Sequence, residues 1–378
     1  MCFKNKLFVT FNSIYHLCGV KRNVRKVEEI ELDELKKWLQ TIFTDNLVII
    51  VGSGLSCAEG LPGMDALANR LKERMPEYLS DSDKAIWNTI SDCLEPYGLE
   101  GALLKHQANE TIETAIIRIT AEYVLSKEQE AINKCITDNQ KLKFSYLLPH
   151  VSASNPQVSR VITTNYDRLI EFAAEYESWG VDSMMVGRYW GKHDPDLSGK
   201  LQVRDIRTVK NRYLKSKLVY RDHIKIFKPH GSLDWFMVED VPMTSCIGKL
   251  EEPLIITPGV GKYKKGYGQP FDVHREKANE AIDSASSILC IGYGFNDDHL
   301  QTHLTGKIKS GVKTLLLTRG LSDNAKNILK DSPNCKALIC GENPFGTIVV
   351  DNQGELFIPD VQWWDVEYFV KEVLENGK

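Results

Sequence analysis

The chain has 378 residues, 42% of them hydrophobic, and a formal net charge of -4. That length and apolar content argue against a disordered chain and predict one large domain with an insert, or two modest ones. The absence of a basic excess argues against a surface built to neutralise phosphate backbones, so nucleic acid is expected only as an indirect partner. Nine cysteines are scattered with no pair at C-x-x-C spacing. This predicts neither a disulfide framework nor a zinc ribbon, and it favours the reducing cytoplasm.

In chain order, residues 1–30 mix basic and apolar residues without a continuous apolar core, which predicts an N-terminal arm rather than a signal peptide. The apolar runs LVIIV at 47–51 and ILCIG at 288–292 are of strand length and too short to cross a bilayer. From Glu31, the spacing of Leu32, Leu35, Trp38, Leu39 and Ile42 predicts a helix feeding the first of these strands. GSGLSCAEGLPGM then gives the strand, tight loop and helix order of a nucleotide-binding crossover. Three- and four-residue apolar spacing predicts an all-helical insertion over 65–154.

Strand signals return in SRVITTNYDRLIEFAAE, KIFKPHGSLDWF and PLIITPG, then in SASSILCIGYGFNDDHL and KTLLLTRG. Alternating strands and helices predict an α/β fold: a doubly wound, parallel, Rossmann-like sheet formed by 31–64 and 155–330. Residues 331–378 read as a C-terminal hairpin, turning at Asn352, Gln353 and Gly354, and a helix.

Four polar elements punctuate the predicted strand ends. Gly52 and Gly54 let backbone approach a pyrophosphate beside a helix N-terminus, but a tight turn without ligand uses the same residues. Thr164, Asn165 and Asp167 fall at the carboxyl edge of the sheet, where short polar side chains either meet a ligand or cap a helix. His230 in KPHGS offers a titratable imidazole with backbone room beside it, although a lone histidine is more often structural. Gly292, Gly294 and Asn296 repeat the glycine pattern, with Asp297, Asp298 and His299 leading into a helix, and a capped helix start is the second reading there.

In this order, GSGLS, GLPG, TTNYD, HGS and IGYGFNDD resemble the sirtuin superfamily over roughly residues 47–320, and its bacterial NAD-consuming defence branch more than the protein deacylases. The resemblance implies that Gly52, Ser53, Gly54 and Ser56 cradle NAD phosphates. It places Asn165 and Asp167, with Thr164 beside them, at the nicotinamide ribose, and it makes His230 the general base. It further assigns Gly292, Gly294 and Asn296 to phosphate or ribose, and Thr318 and Arg319 to the neighbourhood of adenosine. NAD is then the substrate. No zinc is expected, because Cys246, Cys290, Cys335 and Cys340 lack paired spacing. Met64 and Asp65 stand where a deacylase has phenylalanine and arginine, which favours water as acceptor over acyl-lysine.

The resemblance implies an NAD glycohydrolase of antiphage defence, a homo-oligomer working beside a HerA-like hexameric ATPase. An NAD-sensing binding module, and a nuclease with Asp297 and Asp298 on a metal, are the alternatives. Arg204, Arg207, Lys210, Arg212 and Lys215 form either an anion-reading patch or a solvated face. Trp363 and Trp364 suit either an interface or the packing of the tail.

Overall fold

The computed structural model describes residues 25–26, 29–151, 157–187, 189–210, 213–246, 252–257, 268–343 and 345–375. The strands, in chain order, are β1 (Arg25–Lys26), β2 (Leu47–Val51), β3 (Val158–Thr163), β4 (Gly180–Asp182), β5 (Met185–Val186), β6 (Gly191–His193), β7 (Val203–Lys210) and β8 (Tyr213–Tyr220). They continue with β9 (His223–Phe227), β10 (Trp235–Val238), β11 (Val241–Thr244), β12 (Ser287–Ile291), β13 (Lys313–Thr318), β14 (Cys335–Glu342), β15 (Phe345–Asp351) and β16 (Gly354–Pro359).

The central sheet runs β1-β16-β15-β14-β13-β12-β2-β3-β9-β4, and every pairing from β14 to β4 is parallel. Its inner order β9-β3-β2-β12-β13-β14 is the doubly wound Rossmann order, and it reverses direction between β2 and β12. The β2 run LVIIV is buried along its whole length because both of its faces are covered. Leu47, Ile49 and Val51 join one core, while Val48 and Ile50 join the other. Helices Glu29–Gln40 and Leu169–Tyr176 cover the first face, and Phe271–Ser284, Asp298–Lys309 and Asp323–Lys330 cover the second. Leu35, Leu39 and Ile42 point inward as the sequence spacing requires.

From Met64 to His150 the chain is helical, with its own core around Leu71, Met75, Trp87, Ile90 and Ile116. Helix Glu110–Thr137 is the long strut of this insertion, capped by Asn109, whose side chain accepts the Ile112 N–H. The tail extends the main sheet rather than standing apart from it. β14 continues the parallel run past residue 330, and the predicted hairpin, β15–β16, adds two antiparallel strands. Trp363 is buried in the core, with its indole N–H 2.7 Å from Glu372 Oε2. Most of the predicted arm lies outside the described residues, as do Arg212 and the side chains of Lys210, Asp298 and His299. The basic stretch forms the β7–β8 ribbon, on which Arg207 pairs with Asp205.

Candidate active site

Strand order reverses between β2 and β12, and the carboxyl ends of strands at such a switch point are where doubly wound sheets bind ligands. The loops leaving these two strands are pressed together. The Gly52 N–H donates to Ile291 O at 2.9 Å and the Gly54 N–H to Gly292 O at 3.0 Å. A Cβ on Gly52 would stand 2.4 Å from Gly292 O, and one on Gly54 would stand 2.6 Å from Gly292 Cα. Gly292 itself has φ +55°. These three glycines are thus required first by backbone meeting backbone. Ser53, Gly54 and Asn296 remain exposed at this edge.

Ser56, on the short helix Ser53–Ala58, joins the first loop to the turn after β3. Its Oγ donates to Asp167 Oδ2 at 2.7 Å and accepts from Asn165 Nδ2 at 2.8 Å, and the same Asn165 amide reaches Gly52 O at 3.0 Å. The other oxygen of Asp167, Oδ1, accepts the Leu169 N–H at 3.2 Å and opens helix Leu169–Tyr176. Asp167 thus orders the start of this helix with one oxygen and ties it to the first glycine loop through Ser56 with the other. Asp167, expected at the nicotinamide ribose, therefore has each oxygen in a contact within the protein. Among the described residues nothing donates to Asn165 Oδ1. That acceptor is therefore open to a hydroxyl or water. Thr164 is half-buried beside it.

His230 follows β9. Its Nε2 lies 2.5 Å from Asp297 Oδ2, which follows β12. Since β3 and β2 lie between those strands, this contact spans the ends of both. The sequence named both residues without pairing them. The HGS turn is fixed from below, with His230 O accepting Ile256 N–H at 2.9 Å and Ser232 N–H reaching Leu254 O at 3.2 Å. Gly231 has φ +85°, and a Cβ there would fall 1.9 Å from Leu254 O. Burial pushes the Tyr166 phenol above its ordinary range, so it stays a donor, and its OH reaches Ile256 O at 2.6 Å. A cavity of about 510 Å³ is lined by Arg118, Leu125, Arg168, Leu233 and Phe236 among others, with none of Gly52, Asn165, His230 or Asp297 in its lining.

The remaining expected residues are engaged with neighbouring loops. Ser322 Oγ holds Gly294 O at 2.5 Å, and Asn324 holds Asn296 Oδ1 at 3.1 Å. Thr318 Oγ1 turns back to Gly320 O, while the exposed Arg319 pairs with Glu342. Among the described residues no three of His, Cys, Asp and Glu come together as metal ligands. Those cysteines are all free.

Residues 159–327 match the family profile of the SIR2-like domain. The matched segment carries Asn165, Asp167, His230 and Asp297, and it begins after the first glycine loop. No curated protein matches the chain in sequence. Similar solved structures include a sirtuin studied for substrate affinity, at 14% identity and TM-score 0.43, covering 93% of this chain and 100% of that one. Sir2Tm bound to a propionylated peptide gives 14% identity and TM-score 0.44, covering 92% and 98%. Sir2 with a p53 peptide and NAD+ gives 14% and 0.42, covering 92% and 98%.

Proposed function

We propose that the chain is an NAD+ glycohydrolase that cleaves the bond between nicotinamide and ribose. The observation that carries this reading is the His230–Asp297 pair spanning the strand ends beside Asn165, within the SIR2-like segment. Cleavage needs two services from the protein. As the C–N bond breaks, nicotinamide leaves with the electron pair and positive charge develops on the ribose carbon. A nucleophile must then be held and deprotonated. Asn165 Oδ1 can accept a hydrogen bond from water or a ribose hydroxyl without becoming charged. His230 takes the proton of water as the water oxygen bonds to the ribose carbon, and Asp297 balances the charge the imidazole acquires. The products are nicotinamide, ADP-ribose and a proton.

Exposed Ser53, Gly54 and Asn296, at the carboxyl ends of β2 and β12, are where this reading puts the phosphates of NAD+. The biological setting we infer, from the family resemblance alone, is antiphage defence by NAD depletion. There a homo-oligomer would work beside a HerA-like ATPase, and co-purification of the two chains tests it. The chemistry is tested by following nicotinamide release in Asn165→Ala and His230→Ala. Losses of about a hundredfold or more in kcat are expected for each, and undiminished turnover in both would exclude this mechanism.

A further inference from the structure

Two buried charges of opposite sign grip one peptide group beside the catalytic turn. The carbonyl of Asp167 and the N–H of Arg168 belong to the same peptide plane. Lys228 Nζ, fully buried, donates to Asp167 O at 2.5 Å. Glu128 Oε2, equally buried, accepts the Arg168 N–H at 2.5 Å. Each charge is balanced locally. Lys228 also bonds Glu171 Oε1 at 2.9 Å, and Glu128 Oε1 takes the Arg168 guanidinium through Nε and Nη2. Burial works against the Arg168 charge, but Glu128 outweighs it and holds the group above its ordinary range.

Their origins give the arrangement its meaning. Glu128 belongs to the long helix of the insertion, and Lys228 stands two residues before His230. Beyond the gripped peptide, the chain of bonds runs from Asp167 Oδ2 to Ser56 Oγ and on to Asn165 Nδ2. Buried ion pairs are poor stabilisers compared with apolar packing, so their presence at this point is better explained by geometry than by stability.

We propose that Glu128 and Lys228 are positioning residues that clamp the Asp167–Arg168 peptide from its two ends, setting the orientation of Asn165 and making the helical insertion a controlling element of the site. This rests on the NAD-cleaving reading. The test compares the full chain with Glu128→Gln and Lys228→Met in three measurements: nicotinamide release, NAD affinity by calorimetry, and amide hydrogen exchange over residues 164–170. For both variants, kcat per folded molecule should fall about tenfold to a hundredfold, while the NAD dissociation constant stays within about threefold. Exchange at Arg168 should quicken. Unchanged exchange there, or unchanged kcat per folded molecule, overturns the clamp. If Lys228→Met fails to fold, Glu128→Gln carries the test alone. A wild-type chain without turnover defeats the functional reading, and the exchange measurement still decides the clamp.

Discussion

At the scale of single residues, the site divides its labour between groups that are committed and groups that are open. Each Asp167 oxygen accepts a bond from within the protein, whereas Asn165 Oδ1 takes none from the described residues, and His230 Nε2 faces Asp297. Asp297 is the residue whose role changes most on folding. In sequence it belongs to a polar run before a helix, and in space it is the partner of the imidazole. Asp297→Asn should lower kcat for nicotinamide release by about tenfold or more with little change in KM, because the carboxylate acts on the charge that appears during reaction rather than on bound NAD. Steady-state kinetics over a range of NAD concentrations check this, and a pure KM effect would move Asp297 to the binding surface. Lys228 and Glu128 were invisible to motif reading, since a lysine beside Pro229 and a glutamate in a long helix are ordinary until their burial is known.

At the scale of elements, the strands with strong apolar runs were legible: β2, β12 and β13 are buried on both faces and bounded by glycines or polar turns. The helical insertion was legible for the same reason, its apolar spacing serving a core of its own. The glycine loops were legible as special backbone but not in their main purpose. Sequence cannot distinguish a glycine that admits a phosphate from one that admits another loop, and at Gly52, Gly54 and Gly292 the second requirement is visible. The β7–β8 ribbon and the small sheet β10-β11-β6-β5 escaped, because half-polar strands leave a weak alternating pattern. Gly231→Ala should cost on the order of 2 kcal/mol or more, through its positive φ and the clash with Leu254 O. Gly320→Ala, with nothing within 4 Å of the added Cβ, should be close to neutral. Denaturant midpoints of the two variants make the comparison, and equal midpoints would contradict the assigned strain at the HGS turn.

At the scale of the whole molecule, the buried His223 and His274 and the half-buried His193 tie stability to pH. Burial pushes His274 well below its ordinary value, with His193 and Lys228 adding to the effect, and burial likewise lowers His193 and His223. The His274 Nδ1 accepts the Lys228 N–H, a role that requires the ring nitrogen unprotonated. A lowered folded pKa means that the unfolded chain takes up protons first. The stability contributed is fully present above about pH 6.5 and is lost as pH falls from there toward the folded values, at up to about 1.4 kcal/mol per pH unit for each histidine. Thermal unfolding between pH 7.5 and 5.5 should therefore show a falling Tm, with a shallower fall in His274→Gln. Parallel curves would assign the dependence elsewhere.

Order along the chain was informative because the topology gathers distant segments. The Rossmann strand order carries GSGLS, TTNYD, HGS and IGYG from positions far apart in sequence to neighbouring strand ends, and no one of them defines a site alone. The central claim is that this convergence cleaves NAD+, and its most direct test is product analysis with the purified full chain. Nicotinamide and ADP-ribose should appear in equal amounts, with both lost together in His230→Ala. NAD+ bound but left intact by the wild-type chain would contradict it.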